Sequence, residues 1–368
     1  MTDYSSSEQA WPSASRRDPD QLRDAFEQWL RRRQSGAEVV EACIPSSNGM
    51  SSETMIAVAD WDGLQHRVVV RIAPRSRANR VFPHYAMDEQ YLILQRLRTQ
   101  CNPPELPRVL WSENDPGPMG APFFVMEHVE GQIPPDVMPY NFGSWLTEAS
   151  PAARQRLQRE TIEQLGRVHA AVPADFAFLD RRRDGETALD AHVRSTHEYY
   201  EWAKAGGTGV PLIDRGFDWL STHWPPETPS TSVLSWGDAR IGNVIYANFT
   251  PIALLDWEMA SLGPRELDIG WLIFFHRFFE DIAHHAGLPG LPDFLRQDDV
   301  ADNYAELTGY QPAALDFYIV YAALRQAIIT MRIQLRAQAF GQAERPDDPD
   351  EMIMHRQSLE KMLGGTYW

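Results

Sequence analysis

Cysteine is almost absent from this 368-residue sequence, which contains only Cys43 and Cys101, far apart in the chain. Two isolated cysteines cannot build a disulfide framework or a cysteine-rich zinc site, because both need several cysteines at short spacings. No run approaches the roughly 18 consecutive apolar residues of a membrane-spanning helix. Residues 1–15 are polar and rich in serine, unlike a signal peptide. We therefore expect a cytoplasmic protein without membrane contact.

Positive charge is also scarce, with 34 Lys and Arg against 51 Asp and Glu and a formal net charge of −17. Nucleic acids and anionic membranes attract proteins through a surplus of Lys and Arg. We therefore expect no nucleic-acid partner, whereas a cationic small molecule would suit the acidic chain. Hydrophobic residues make up 43% of a chain long enough for two domains, which predicts a folded protein with a sizeable core. Nothing in the sequence fixes the oligomeric state.

Three common catalytic motifs are missing: the Gly-x-Ser-x-Gly elbow, the Gly-x4-Gly-Lys-Ser/Thr phosphate loop and the His-Glu-x-x-His zinc motif. The sequence therefore lacks the usual evidence for a hydrolase, a P-loop protein or a zinc protease. One helical face places His276, Glu280 and His284 at i, i+4 and i+8, a spacing that could bind a metal. No matching ligand accompanies them elsewhere, so a packed helix face is the favoured interpretation.

The first third of the chain is rich in strand patterns. Apolar and β-branched segments predict five strands, at 39–44, 54–59, 67–72, 109–111 and 123–129. Helical spacing predicts one helix within 83–98, and Asp18-Pro19 predicts a capped helix that ends before Gly36. Three strands, a helix and two strands in this order predict an antiparallel sheet with one packed helix, instead of the βαβ order of a dinucleotide-binding domain.

The rest of the chain is mainly helical. A connector at 131–140 precedes a helix capped by Ser150-Pro151, and further helices are predicted over 267–285, 313–340 and 350–363. We therefore expect an α+β fold with a small β-rich lobe and a larger helical lobe. The expected domains are a disordered lead-in with an N-terminal helix at 1–35, an N-lobe at 36–129 and a C-lobe at 130–368.

The segment from Val233 to Glu258 contains the residues best suited to chemistry. An apolar strand delivers Asp238 into a glycine-flanked loop, Asn243 begins a second short strand, and a third strand ends at Asp256. Phosphoryl transfer uses such a set, because one carboxylate orients or deprotonates the attacking hydroxyl while an amide and a second carboxylate hold Mg²⁺. Glu258 would share a face with Asp256 if this backbone were extended, and would then join or support the metal site.

This pattern resembles the catalytic loop and metal motif of the aminoglycoside phosphotransferase family, relatives of protein kinases. The family's usual form is His-Gly-Asp-x4-Asn, then a short hairpin and Asp-x-Glu/Asp. The resemblance implies a two-lobed, protein-kinase-like fold, with Asp238 as the catalytic base and Asn243 and Asp256 as Mg²⁺ ligands. Trp236 stands where the family has histidine, and we expect it to pack there.

The N-lobe also resembles the family at three points. Residues 49–54 resemble the nucleotide loop, Arg71 stands where kinases have the phosphate-pairing lysine, and 123–129 resembles the hinge strand that borders adenine. The resemblance thus implies these nucleotide-binding residues: Ser51, Ser52, Arg71, Glu127 and Val129. The resemblance covers about 36–335. Within the family, the sequence most resembles the subgroup that includes the kinase domain of acyl-CoA dehydrogenase family members 10 and 11.

The family implies an enzyme that uses Mg²⁺ and ATP, or GTP, to phosphorylate an alcohol group of a small molecule. The acceptor stays open among an antibiotic, a hydroxy acid or hydroxyacyl-CoA, a sugar and a choline-like alcohol. A second hypothesis is a nucleotide-binding pseudokinase or scaffold without transfer activity, which Trp236 and Arg71 would favour. Two further residues should be structural: Asp268 should cap a helix or brace a loop, and His169 should be a hydrogen-bonded core histidine.

Overall fold

A computed structural model of the protein describes residues 17–45, 52–74, 80–204, 207, 209–226 and 232–368. The chain forms two compact units. The first consists of the chain up to Asp88 with Leu110–His128 and Arg332–Arg345, and the second of Glu89–Val109, Val129–Met331 and Pro346–Trp368. Within the described ranges, no helix has the length and apolar character that crossing a membrane requires.

A five-stranded sheet runs through the first unit. Its strands are β1 (Glu38–Cys43), β2 (Glu53–Trp61), β3 (Leu64–Ile72), β4 (Val109–Glu113) and β5 (Phe123–Glu127), in the spatial order β1-β2-β3-β5-β4. The pairs β1–β2, β2–β3 and β3–β5 are antiparallel. Asp62 and Gly63 turn the β2–β3 hairpin with φ values of 54° and 75°, as expected for an Asp-Gly turn. All five predicted strands are confirmed.

The first helix, α1 (Pro19–Arg31), begins where the sequence predicts. Asp18 caps it by accepting the N–H of Asp20 at 2.9 Å, and Pro19 occupies the first helical position. Its apolar stripe is buried, and Trp29 meets Phe123 edge-on with 4.9 Å between the ring centroids. The helix therefore packs on the sheet through the face that its sequence pattern indicates.

The second unit is mainly helical. Some residues of α2 and α9 belong to the first unit. The remaining helices of the chain are α2 (Met87–Leu97), α3 (Trp145–Glu148), α4 (Pro151–His169), α5 (Ala188–Ala203), α6 (Pro211–Thr222), α7 (Glu266–His285), α8 (Gln297–Thr308), α9 (Leu315–Ala339) and α10 (Arg356–Leu363). The predicted α+β class, with a β-rich part and a larger helical part, is confirmed.

One helix differs from its prediction. The segment 350–363 is a 3₁₀ turn (Pro349–Met352) followed by α10, instead of a single helix. Contacts with distant residues explain the interruption. The Asp350 carboxylate accepts the N–H of Leu212 at 2.9 Å, and His355 Nε2 donates to the carbonyl oxygen of Ala323 at 2.8 Å.

Candidate active site

Two pairs of short strands carry the segment that the sequence marks for chemistry. β6 (Val233–Ser235) pairs antiparallel with β9 (Ser261–Gly263), and β7 (Val244–Ala247) pairs antiparallel with β8 (Thr250–Leu254). Asn248 and Phe249 turn the β7–β8 hairpin with φ values of 52° and 65°. The predicted hairpin is confirmed, whereas β9 has no counterpart in the prediction.

A buried carboxylate, that of Asp268, braces the loop that follows β6. Its Oδ1 accepts hydrogen bonds from Ser235 Oγ and from the Gly237 N–H, at 2.9 and 2.8 Å. Its Oδ2 accepts from the Trp236 N–H at 2.7 Å and from His169 Nε2 at 2.9 Å. Both Asp268 and His169 are buried. The predicted structural roles of these two residues are confirmed.

The loop turns sharply at Gly237. Its φ is 88°, and a Cβ atom here would lie 2.1 Å from the carbonyl oxygen of Met259, so no other residue fits. The preceding Trp236 is buried, and its Nε1 donates to the carbonyl oxygen of Leu255 at 2.8 Å. Trp236 therefore packs under the loop, as predicted, and links it to the end of β8.

Three donors hold the carboxylate of Asp238. Oδ1 accepts hydrogen bonds from Trp271 Nε1 at 2.7 Å and from Arg240 Nε at 2.9 Å, and Oδ2 accepts one from Asn243 Nδ2 at 2.6 Å. Such donors orient the carboxylate and stabilise its charge. The side chain keeps 14% of its surface exposed, which leaves room for a hydroxyl group to approach.

The neighbours of Asn243 determine the orientation of its amide. Nδ2 donates to Oδ2 of Asp238 and, at 3.0 Å, to the main-chain carbonyl oxygen of Asp238, and both atoms are acceptors. The other amide atom, Oδ1, is therefore an oxygen of the type that binds Mg²⁺. The structure thus brings the predicted base into contact with one predicted metal ligand.

Asp256 follows a residue that is hydrogen-bonded to Asn243. The Leu255 N–H donates to the carbonyl oxygen of Asn243 at 2.8 Å. Asp256 itself has a φ of 57°, in the left-handed region that non-glycine residues seldom adopt. The backbone is therefore not extended here, and the argument that Glu258 shares a face with Asp256 by strand alternation is wrong.

These residues fit a magnesium site in which the protein would supply only some of the ligands. In the part of the chain that the structure describes, no group of three or more His, Cys, Asp or Glu side chains is placed to hold a metal. Mg²⁺ in nucleotide sites commonly takes one or two carboxylates and completes its shell with phosphate oxygens and water. One amide oxygen and one carboxylate at the end of the hairpin match that chemistry, so Asn243 and Asp256 stay the predicted ligands.

Arg240 is a candidate that the sequence prediction misses. Besides Asp238, its guanidinium contacts the carboxylate of Asp136 and lies over Phe275, 5.2 Å from the ring centroid. Burial opposes the charge of Arg240, but the carboxylates of Asp238 and Asp136 outweigh it and raise the pKa of Arg240 above its usual value. Its position two residues after Asp238 is the only signal that could have identified it.

A small pocket adjoins the Arg240–Asp136 pair. Its cavity volume is about 10 Å³, and its other walls are largely aromatic or aliphatic, including Tyr140, Phe275 and Phe279. A cavity of this size holds about one water molecule, so it cannot be the binding pocket of an acceptor. The polar groups of its lining belong to the Arg240–Asp136 pair and to the hydrogen-bonded Tyr140 and His276.

Of the predicted phosphate-binding residues, Ser52 and Arg71 belong to the first unit, and Ser51 lies outside the described residues. Ser52 is buried directly before β2. Arg71 lies on β3, where its Nη1 donates to Thr54 Oγ1 on β2 at 3.2 Å. The structure thus places Ser52 and Arg71 on the same sheet, and their phosphate contacts stay a prediction.

The predicted hinge lies at the end of β5. Glu127 pairs with Val68 of β3, and the N–H of His128 donates to the carbonyl oxygen of Arg67 at 3.0 Å. Val129 follows, at the start of a segment of the second unit. The adenine-binding roles of Glu127 and Val129 stay predictions.

The helical face with His276 and Glu280 is a packing feature. His276 Nε2 donates to the carbonyl oxygen of Leu291 at 3.1 Å, and Nδ1 accepts from the Tyr140 hydroxyl at 2.8 Å. Burial lowers the pKa of His276 to about 4, so the ring is neutral at pH 7. Glu280 accepts the N–H of Leu291. Because both ring nitrogens are occupied, the metal alternative is wrong and the packed-face interpretation is confirmed.

Solved structures share this fold. A putative aminoglycoside phosphotransferase from Ralstonia eutropha JMP134 has a TM-score of 0.65 and 20% identity, with 94% of this chain and 97% of that chain covered. A thermostable mutant of aminoglycoside phosphotransferase APH(4)-Ia, in a ternary complex with AMP-PNP and hygromycin B, has a TM-score of 0.57 and 16% identity, with 93% and 100% covered. The predicted protein-kinase-like fold of aminoglycoside phosphotransferases is therefore confirmed.

The sequence comparison identifies the family within this class. The model of the phosphotransferase enzyme family matches residues 44–310, and the chain belongs to this family. The probable acyl-CoA dehydrogenase IBR3 of Arabidopsis thaliana is 24% identical over 77% of this chain and 35% of its own length. Acyl-CoA dehydrogenase family member 10 of Mus musculus is 24% identical over 69% of this chain and 23% of its own length. The chain thus spans about a third or less of these curated relatives, and its resemblance to that subgroup is confirmed.

Proposed function

We propose that the protein transfers the γ-phosphate of ATP, or of GTP, to a hydroxyl group of a small molecule with the help of Mg²⁺. The contact between Asp238 and Asn243 carries the proposal, because it joins an oriented carboxylate to an amide oxygen suited to a metal. Membership of a phosphotransferase family supports the chemistry. The complex of APH(4)-Ia with AMP-PNP and hygromycin B supports a nucleotide and a small-molecule acceptor as the two ligands.

In the proposed reaction Asp238 orients the acceptor hydroxyl through Oδ2 and takes its proton as the new oxygen–phosphorus bond forms. The bond between the γ-phosphorus and the bridging oxygen breaks, and the nucleoside diphosphate leaves. Trp271 and Arg240 hold the other carboxylate oxygen, which keeps the base from rotating. No side chain of this protein needs to form a covalent intermediate in this scheme.

Asn243 Oδ1 and Asp256 would hold Mg²⁺. When bound, the ion neutralises charge on the phosphate oxygens. The protein's own contribution is orientation, because Nδ2 of Asn243 is anchored on both the side chain and the main chain of Asp238. The metal ligand and the base thereby keep a fixed separation.

The nucleotide would be bound by residues outside the loop: Ser51, Ser52, Arg71, Glu127 and Val129. The guanidinium of Arg71 suits phosphate oxygens, although its planar fork differs from the ammonium of the lysine that kinases use. Its hydrogen bond to Thr54 anchors it on the neighbouring strand. A cytoplasmic location, where nucleotides are plentiful, completes the proposal.

The choice of acceptor class rests on the relatives and on the partners of two acidic residues. Two acidic residues of α7 already have hydrogen-bond partners: Glu280 accepts the Leu291 N–H, and Asp281 accepts the hydroxyls of Ser358 and Tyr367. We favour a hydroxy acid or hydroxyacyl-CoA over a cationic antibiotic, because the curated relatives are acyl-CoA dehydrogenases.

A pseudokinase or scaffold is the second candidate. Arg71 in place of lysine and Trp236 in place of histidine favour it. The hydrogen bond from Trp236 to Leu255 argues against it, because the loop is supported without the histidine. Retention of Asp238, Asn243 and Asp256 also argues against it.

The test is ADP release from Mg-ATP over a panel of aminoglycosides, macrolides, hydroxyacyl-CoAs, hydroxy acids, sugars and choline. Asp238→Asn should lower acceptor-dependent turnover by roughly 10²–10⁴-fold, because it removes the proton acceptor, while ATP still binds. Near-normal turnover of this variant would exclude Asp238 as the base. A wild-type protein that binds Mg-ATP without releasing ADP would support the pseudokinase, and one that binds no nucleotide would overturn both candidates.

A further inference from the structure

One oxygen of the Asp238 carboxylate is fully used. Oδ1 accepts from both Trp271 Nε1 and Arg240 Nε, which occupies its two lone pairs. Oδ2 accepts from Asn243 Nδ2, and its second lone pair has no donor among the described residues. An acceptor hydroxyl can therefore bind at Oδ2 but not at Oδ1, so the rotation of the carboxylate decides whether the base is usable.

Trp271 lies in the second turn of α7, 33 residues beyond Asp238. It is 1% exposed, so water cannot replace Asp238 as the partner of its N–H. The helix is tightly placed at this point. A Cβ atom on Gly270 would lie 2.8 Å from the carbonyl carbon of Tyr318, so this glycine lets α7 approach α9 and sets the depth of the indole.

Arg325, on α9, covers one face of the indole. Its guanidinium carbon lies 4.3 Å from the centroid of Trp271, and its Nη2 donates to the carbonyl oxygen of Gly237 at 3.1 Å. A desolvated cation over an aromatic face is a favourable contact. One buried guanidinium thus touches both the ring that binds the Asp238 carboxylate and the main chain that precedes Asp238.

We infer that Trp271 is a positioning residue, whose N–H fixes the Asp238 carboxylate so that Oδ2 faces the acceptor hydroxyl, and that Arg325 holds the indole for this task. The inference rests on the proposed function, since it presupposes that Asp238 is the base. A role in core packing accounts for the burial of Trp271 but not for a 2.7 Å hydrogen bond from its indole to a carboxylate.

Trp271→Phe in the full chain tests the inference, because phenylalanine keeps an aromatic ring but has no N–H. We expect kcat for ADP release to fall about 10- to 100-fold, the effect of removing a hydrogen bond to a charged group. KM for ATP and for the acceptor should change by less than about twofold, since neither would touch Trp271. The same assay without acceptor, in which water attacks the phosphate, supplies a rate if no panel compound is a substrate.

Trp29→Phe is the matched control. Trp29 is equally buried, and its Nε1 also donates to a carboxylate, that of Glu113, at 3.0 Å, but in the first unit. This variant should keep the wild-type kcat. A fall of the same size in both variants would mean that lost stability explains the effect, and the inference would be overturned.

Asp238→Asn separates the inference from the function on which it rests. If this variant loses turnover while Trp271→Phe keeps it, the positioning role is wrong and the proposed function stands. If Asp238→Asn keeps wild-type turnover, or the wild type releases no ADP, both fail. If Trp271→Phe does not fold, Arg325→Lys tests the positioning role instead, because it keeps the charge without the planar contact to the indole. Its kcat should fall at unchanged KM, and an unchanged kcat would overturn the role.

Discussion

At the scale of single residues, Asn243 would serve two partners with opposite requirements. Its Nδ2 donates to Asp238, whereas its Oδ1 is the acceptor that a cation requires. Aspartate would be the stronger metal ligand but would offer Asp238 no donor. Only an amide meets both requirements, so the nature of this side chain is itself a clue to the function of the loop.

Asn243→Asp tests this dual role. The new carboxylate would place an oxygen where Nδ2 now lies 2.6 Å from Oδ2 of Asp238, so two like charges would repel each other. We expect kcat to fall by roughly 10²-fold or more, even though the variant offers Mg²⁺ an extra charge. Steady-state kinetics over a range of Mg²⁺ concentrations measure the effect.

Asn248→Asp, in the exposed β7–β8 turn, makes the same chemical change as a control and should leave kcat unaltered. A wild-type kcat for Asn243→Asp would show that its donor role is dispensable and that Asn243 acts as a metal ligand alone.

At the scale of elements, the loop that carries Asp238 takes its position from packed helices. Asp268 at the start of α7 accepts two loop N–H groups and the Nε2 of His169 on α4. His169 in turn bonds through Nδ1 to the hydroxyl of Tyr304 on α8, at 2.7 Å. Three helices thereby hold the loop through one buried, hydrogen-bonded carboxylate, and this arrangement should be costly to disrupt.

Asp268→Ala should strongly destabilise the protein. The change would leave His169 and three loop donors buried without their acceptor, and each buried unpaired group costs about 1–3 kcal/mol. We expect the free energy of unfolding, measured by urea denaturation, to fall by about 3 kcal/mol or more. Asp218→Ala, at an exposed position on α6, should change it by less than about 0.5 kcal/mol. Equal stability of the two variants would show that other contacts hold the loop.

Elements could be predicted from the sequence where a local signal sets them. α1 has its cap, its proline and its apolar stripe, and the β7–β8 hairpin has Asn248 at its turn. Local signals do not predict the structure of a segment whose conformation depends on contacts with distant residues. The buried Asp350 interrupts a helical pattern, and Asp256 leaves the extended region that alternation assumes. These outcomes depend on packing, which periodicity does not encode.

The candidate site can likewise be predicted where its residues are close together in the sequence, and not where they are far apart. Asp238, Asn243 and Asp256 lie in one short segment with motif spacing, so the sequence identifies them together. The sequence does not predict the hydrogen bond from Trp271 to Asp238, because the two residues lie 33 positions apart. It does not predict the contact of Arg240 with Asp136 either, since 104 positions separate them. Helical periodicity assigns Trp271 to an apolar face but does not indicate that its N–H meets a carboxylate.

At the scale of the whole molecule, buried neutral histidines make stability depend on pH. His276 and His355 are both 3% exposed, and burial lowers the pKa of each to about 4. In the unfolded chain a histidine has a pKa of about 6.5. Between these values the unfolded chain binds protons that the folded protein excludes. The stabilising contribution is therefore fully present above pH 6.5 and is lost as the pH falls towards 4.

We expect the free energy of unfolding to fall by about 3 kcal/mol for each of His276 and His355 between pH 6.5 and 4. The net charge of −17 acts in the opposite direction, since self-repulsion weakens as the pH approaches the isoelectric point near 5.1. Carboxylates such as Asp180, whose pKa its bonds to Arg182 lower to about 2, lose their contribution at still lower pH.

Comparison with a histidine variant isolates the contribution of that histidine to the pH dependence of stability, because all other ionisable groups are the same in the two proteins. His355→Gln removes one buried titrating ring whose Nε2 donates to the carbonyl oxygen of Ala323. It should be less stable than the wild type at pH 7, since a packed ring is lost, but its stability should fall less steeply as the pH is lowered. Urea denaturation at several pH values between 7 and 4 measures both slopes. Parallel slopes would mean that His355 takes up its proton without unfolding, and that burial does not keep it neutral.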